Sequence, residues 1–439
     1  MTGAKLALPE PALKLASSLS EARWGPYPRP RYDGFSLPNV SVSAFGSVGG
    51  IAGKGLLPGL APVYPKSGDT TTAIVFLVDS FGWKLFTDVV AAARTATERT
   101  VAEGLLPHAL PITTIFPATT SSALLSLSTG TAPGTHGIAG YTEYFPAWGA
   151  ILNTLKLTPS WGGPRDLAAG RGFKPQDLMS VPTLFRRGLS SVALTKYEFE
   201  GSAFTRMLYD GAAFQGYLGH SDLAMHLKRI LSQPRSKRPS LVWVYWDLLD
   251  SVHHVNGPLE ELAVGEITHV FLTLASVASA LGKEEREGVS IWVTGDHGQV
   301  EVRPPLAVPA HNDDTLMGLL RRPPSGERRA AFLEARSGKR EQLGRYLASH
   351  FAADWQAFSV DEIVKGDLLG PGPHHPELTD RLGDFLLIPP PGAAIYYRPP
   401  GSRGPEDRFL RGAHGGMTTD ELLVTLVSMS MDDLARWSL

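Results

Sequence analysis

The chain has 439 residues, 43% of them hydrophobic, with 41 basic against 43 acidic side chains for a formal net charge of -2. That is enough material for one large α/β domain with insertions or for two domains, and it excludes disorder as the main state. The near-cancelled charge excludes an overall field for nucleic acid or an anionic membrane, and the absence of cysteine excludes disulfides and thiolate metal sites, leaving His and carboxylate for any metal.

The start, MTGAKLALPEPALKLASSLSEARW, has scattered charges and no continuous apolar core, so it lacks the pattern of a secretory signal. No apolar run elsewhere reaches the roughly 20 residues of a membrane span. The expectation is a cytoplasmic protein with no membrane and no nucleic-acid partner. From Tyr27 to Gly68 the chain is rich in Pro, Gly and Ser without helical periodicity, which predicts an irregular leader over 1–70, wrapped on the core. Its stretch FGSVGGIAGKGLLPG fails as a phosphate loop, because Val48 stands where the first Gly is needed and Gly55 follows Lys54 where Ser or Thr is required.

From Thr72 onward, short apolar runs alternate with longer amphipathic segments, predicting an α/β core over 71–303 with a largely parallel sheet covered by helices on both faces. Three of the runs, AIVFLVDS, LVWVYWDLLD and VSIWVTGDHG, end in Asp79, Asp250 and Asp296. The carboxyl ends of strands form the rim where open α/β sheets bind ligands, so these aspartates are expected in one site. Residues 304–404 turn Pro- and Arg-rich and read as an inserted cap, after which 405–439 return to the core.

An aspartate at a strand end is, taken alone, a turn or capping residue. The pairings change that. In Asp250-Ser-Val-His-His254 a helical turn places an oxygen and an imidazole on one face, and in Asp296-His297-Gly298 two ligand types are adjacent before a Gly that lets the backbone turn sharply. His414 lies in a third, Gly-rich segment. Three His and three Asp suit zinc or a similar divalent ion. The segment from Pro117 through Thr119 and Thr120 into a small-residue run to Leu127 puts Thr120 at a helix N-terminus, where N–H groups and the helix dipole favour phosphate.

The ordered series Asp79, Thr120, Asp250-x-x-x-His254, Asp296-His297, His414 resembles the metal and nucleophile series of the nucleotide pyrophosphatase/phosphodiesterases of the alkaline phosphatase superfamily. The resemblance implies an alkaline-phosphatase-like sandwich with an inserted cap subdomain. It further implies a small phosphate-ester substrate and two divalent ions, zinc first and manganese as the alternative. Asp250, His254 and His414 would hold one ion; Asp79, Asp296, His297 and Thr120 would hold the other. In the family the nucleophile lies nine positions before the Thr of a Thr-Gly pair followed by His-Gly-Ile; here that pair is Thr129-Gly130 before His136, which selects Thr120 over Thr119 and leaves His136 structural.

The chemistry so implied is hydrolysis of phosphodiester or pyrophosphate-type bonds through a covalent phosphothreonine. Alternatives are a phosphomonoesterase, phosphonate hydrolase or phosphomutase of the same superfamily, or a non-catalytic metal- or phosphate-binding module. The chain departs from the family pattern at two places. Ala139-Gly-Tyr141-Thr-Glu143 stands where nucleotide-cleaving members carry an Asn, and His253, expected on a helix surface, replaces a Gly. His374 and His375 lie in a Gly/Pro loop and are expected to be exposed.

Overall fold

The three apolar runs are too short and too rich in branched and aromatic residues for helices, and they become neighbouring strands Thr72–Val78, Leu241–Trp246 and Val289–Thr294, every residue of which is buried. The computed structural model describes residues 6–50, 53–56, 70–172, 174–351, 353–399 and 410–437. The central sheet has seven strands in the order Ala109–Thr113, Leu423–Ser430, Val289–Thr294, Thr72–Val78, Leu241–Trp246, Ser191–Lys196, Ala213–Tyr217. Leu423–Ser430 runs antiparallel to both of its neighbours and all other pairs are parallel, so the sheet is mixed.

Alternation along Thr72–Val78 divides the interior. Ile74, Phe76 and Val78 join one apolar layer with the helices Trp83–Ala92, Ala96–Leu105 and Glu260–Ala280, while Ala73, Val75 and Leu77 join a second with Leu37–Ser47 and Thr120–Thr129. The 21-residue helix Glu260–Ala280 has a mean hydropathy of 1.5 and is long and apolar enough to cross a membrane by those criteria alone, which corrects the expectation that no segment reaches that length. Its apolarity has a local cause: Ile267, Phe271, Leu274 and Ala278 are fully buried against the neighbouring helices.

The leader is more regular than its composition predicts. Glu10–Glu21 and Leu37–Ser47 are helices, the second started by Asn39 Oδ1 accepting from the Ser36 N–H at 3.1 Å with Pro38 in the first turn. Leu37–Ser47 lies between the sheet and the Thr120–Thr129 helix, buried almost all round, so its sequence carries no amphipathic period. Phe45 to Ser47 of the glycine-rich stretch belong to this helix; residues 51–52 and 57–69 fall outside the described residues.

A second seven-stranded sheet has the order Gln356–Ser359, Phe385–Ile388, Ala330–Leu333, Ser325–Glu327, Thr142–Phe145, Ala150–Asn153, Thr158–Pro159, with antiparallel pairing throughout. Strands from the Pro- and Arg-rich segment are thus hydrogen-bonded to hairpins that follow the Thr120–Thr129 helix, joined at Gly326 and Thr142.

Candidate active site

Register places the aspartates. Val78 pairs with Trp246 and Leu77 with Thr294, so the three central strands end nearly level and their next residues share one edge. Asp79 follows the first strand directly, Asp296 lies two residues past the third, and Asp250 sits in the first turn of the helix Leu248–Asn256. Ser80 has a φ of 69°, a strained conformation for a non-glycine, and this aims its N–H at Asp296 Oδ1, 2.9 Å away. Gly298 serves close approach and not the expected sharp turn: a Cβ there would lie 1.9 Å from the Asp420 carbonyl oxygen.

The histidines are oriented by one device used three times. His297 Nδ1 faces the Gly298 carbonyl at 3.1 Å, His414 Nδ1 faces that of Ala118 at 2.9 Å, and His254 Nδ1 faces that of Gly412 at 2.8 Å. A carbonyl only accepts, so each Nδ1 carries a proton and each Nε2 is the inward-facing atom left to take a proton or a metal. Those Nε2 atoms meet carboxylates: His254 lies 3.1 Å from Asp250, and His297 lies 3.4 Å from Asp79 and 3.3 Å from Asp296. His414 Nε2 is 3.9 Å from Asp250, and its ring stacks on that of His297 with centroids 3.6 Å apart. Among the described residues two groups are close enough to grip an ion, Asp250 with His297 and His414, and Asp79 with Asp296 and His297; His254 is in neither.

Electrostatics make the same point. Burial, then the nearby Asp296 and Asp250 carboxylates, push Asp79 well above the usual carboxylate range, and burial raises Asp296 to about 6. Burial also opposes ionisation of Asp250, but the imidazoles of His254, His414 and His297 bring it below the usual range. His297 is lowered by burial to about 4; His254 is raised to about 9 because Asp250 outweighs burial. Asp79 Oδ1 and Asp296 Oδ2 are buried without a hydrogen-bond partner. Orphaned carboxylate oxygens beside inward-facing Nε2 atoms are what a divalent cation would satisfy.

Thr120 is the first residue of its helix and Thr119 the N-cap. The Thr119 hydroxyl does not cap the helix; it donates to Glu327 Oε1. Thr120 Oγ1 lies 3.2 Å from His297 Nε2, so of the two threonines it is Thr120 that faces the ligand cluster. Two strands hold the parts together. Val300–Glu301 pairs with Gly412–Ala413, setting His414 beside His297, and Ala118 N–H reaches the Gly415 carbonyl at 3.3 Å.

Two expectations fail on packing. His253 is fully buried, not on a helix surface, because the Gly412–Ala413 strand lies against this turn: a Cβ on Gly412 would sit 2.5 Å from the His253 carbonyl oxygen. His375 is buried and His374 half-buried, because Gly137 leaves a space that the His375 ring fills. His136 is buried, with Nε2 3.0 Å from Ser126 Oγ. Residues absent from the motif series also shape the site. Tyr245 donates to Asp79 Oδ2 at 2.6 Å and Gln299 donates to Asp250 Oδ1 at 2.9 Å. Tyr245 precedes the Asp250 helix and Gln299 follows His297-Gly298, and that proximity was the available signal.

The chain is a mixed α/β fold, with Asp and His gathered at the carboxyl edge of its central sheet around a helix N-terminus. The sequence model of the type I phosphodiesterase / nucleotide pyrophosphatase family matches residues 73–417, and the chain belongs to that family. Among solved structures it is similar to murine ectonucleotide pyrophosphatase/phosphodiesterase 5, at 17% identity and a TM-score of 0.57 over 81% of this chain and 87% of that one. An inactive form of the murine protein in complex with AMP gives 17%, 0.58, 82% and 87%, and the human protein gives 15%, 0.57, 81% and 87%. No curated protein sequence matches.

Proposed function

We propose that this chain is a metal-dependent hydrolase of phosphodiester or pyrophosphate-type bonds that works through a covalent phosphothreonine at Thr120. The observation that carries this reading is the repeated orientation of His254, His297 and His414, each with Nδ1 on a backbone carbonyl and Nε2 on a buried carboxylate cluster beside Thr120. Asp250, His254 and His414 would hold one divalent ion, and Asp79, Asp296, His297 and Thr120 the other. Zinc suits this nitrogen and oxygen set, with manganese as the alternative. When bound, such ions supply Lewis acidity, lowering the pKa of a hydroxyl or water and offsetting phosphoryl charge.

The protein's own groups do the rest. The first-turn N–H groups of the Thr120–Thr129 helix favour the phosphoryl oxygens and hold phosphorus near Thr120. Thr120 Oγ attacks in line and gives up its hydroxyl proton to solvent, the bond to the leaving oxygen breaks with its electron pair, and that oxygen takes up a proton from solvent as the product alcohol or phosphate departs. A water then attacks phosphorus from the opposite side. The Thr120 oxygen leaves with the bonding pair and takes up the proton that the attacking water gives up.

The test is hydrolysis of paired aryl phosphate monoesters, aryl diesters and nucleotides, with and without chelator and with added zinc or manganese. Activity on diesters that chelator abolishes and metal restores is expected. Thr120→Ala should lower kcat/KM by about a thousandfold or more while metal content stays close to that of the parent. Full activity in that variant, or activity indifferent to chelator, would remove the proposal.

A further inference from the structure

The strand Ser325–Glu327 belongs to the second sheet, yet its last side chain reaches Thr119, the residue before Thr120. Glu327 Oε1 accepts the hydroxyl proton of Thr119, the residue immediately before Thr120. The same side chain lies across Gly415, the residue after His414: a Cβ on Gly415 would be only 2.5 Å from Glu327 Cβ. Glu327 is therefore wedged between the helix N-terminus that carries Thr120 and the loop that carries His414. Burial raises its carboxyl above the usual range, while the neighbouring His414 and His254 and the Thr119 hydroxyl favour the charged form.

A phosphorus atom in line with Thr120 Oγ has its remaining oxygens around this helix start. In a monoester each non-bridging oxygen shares a dianionic charge. In a diester the charge is single, and one further oxygen carries an uncharged substituent. A carboxylate fixed by Thr119 on one side and by the Gly415 backbone on the other cannot swing away from the added charge, and like charges in a partly dry site repel strongly.

We propose that Glu327 is a specificity-determining residue that disfavours dianionic phosphate monoesters and so biases the site toward monoanionic diesters. The inference rests on the phosphoester hydrolase reading above. It assigns to the second sheet a direct part in substrate choice.

The experiment compares the metal-loaded parent, Glu327→Gln and Glu327→Ala on phenyl phosphate and on a phenyl diester of the same leaving group. In parallel, phenyl phosphate and the diester are titrated into Thr120→Ala with and without Glu327→Gln. Removing the charge is expected to raise the monoester-to-diester ratio of kcat/KM by about tenfold or more. It should tighten phenyl phosphate binding by a similar factor and leave diester binding unchanged. The Ala variant loses the same charge and carries the comparison if the Gln variant does not fold. An unchanged ratio and unchanged binding at parental metal content would overturn the proposal, as would an equal loss on both esters, which is the mark of a purely structural role. A parent that hydrolyses neither ester would instead sink the hydrolase reading, while the titrations into Thr120→Ala would still decide the part played by Glu327.

Discussion

Each of the three inward-facing imidazoles keeps Nδ1 on a carbonyl, and only His254 combines that with a carboxylate strong enough to raise it, to about 9. If His254 holds a metal as proposed, metal and proton compete for its Nε2. The sign follows: without metal, His254 is charged below about pH 9, so metal uptake must release a proton and should weaken as pH falls. Calorimetric titration of zinc into the metal-free protein in buffers of different ionisation enthalpy is expected to show proton release between pH 7 and roughly 9, and His254→Ala should lose that component along with affinity. Pairings such as Asp250 with His254 and Asp296 with His297 were legible in the sequence because adjacency or a four-residue interval places two donors together in any helix or tight turn. Tyr245 and Glu327 were not. Tyr245 hides its hydroxyl in an otherwise apolar strand, and Glu327 meets Thr119 across 208 residues, a distance no local pattern spans.

Elements far apart in sequence hold those side chains in place. Arg329, just past the Ser325–Glu327 strand, is fully buried and forms a two-pronged pair with the fully buried Glu421, both contacts at 3.0 Å. Glu421 Oε1 also accepts from Gly416 N–H at 2.9 Å, and its carbonyl accepts from Gly298 N–H at 2.9 Å. One ion pair thus fastens the loops of His414 and His297 to the second sheet. Arg329→Met leaves a buried carboxylate without its partner and should destabilise the fold by about 3–5 kcal/mol, read by denaturant unfolding of the metal-free protein. Glu421→Gln placed on top should recover part of the loss, and a neutral effect of Arg329→Met would show that the pair does not clamp the loops. At this scale the sequence spoke unevenly. The all-buried strands of the central sheet announced themselves as unbroken apolar runs, whereas Leu37–Ser47 is small-residue rich and buried nearly all round, so the periodicity that marks a helix was missing.

Across the whole molecule, buried polar contacts fasten the second sheet to the segments around it. Glu143, in a second-sheet strand, accepts the Ala139 N–H at 2.6 Å and lies 3.6 Å from the buried Arg381, and burial raises it from 4.5 to about 7. A raised folded-state pKa means that the native protein binds this proton more tightly than the unfolded chain. The stability so gained is present below about pH 4.5 and is lost as pH rises through about 7. Glu143→Gln should remove that dependence, so its unfolding free energy is expected to fall less than that of the parent from pH 5 to pH 8, by up to about 3 kcal/mol. The division of the interior into a central sheet and helical layers was readable from period and run length. The second sheet was not, because its strands are short, come from segments 142–159 and 325–388, and complete one another only in space. What unites the scales is a helix N-terminus that sets Thr120 beside the Asp and His cluster at the edge of the central sheet, where we propose it attacks phosphorus. The stereochemical course at phosphorus tests that most directly. For a phosphorothioate diester of one configuration hydrolysed in isotopically labelled water, two in-line displacements through Thr120 require net retention, and inversion would mean that water attacks the substrate directly and that Thr120 is not the nucleophile.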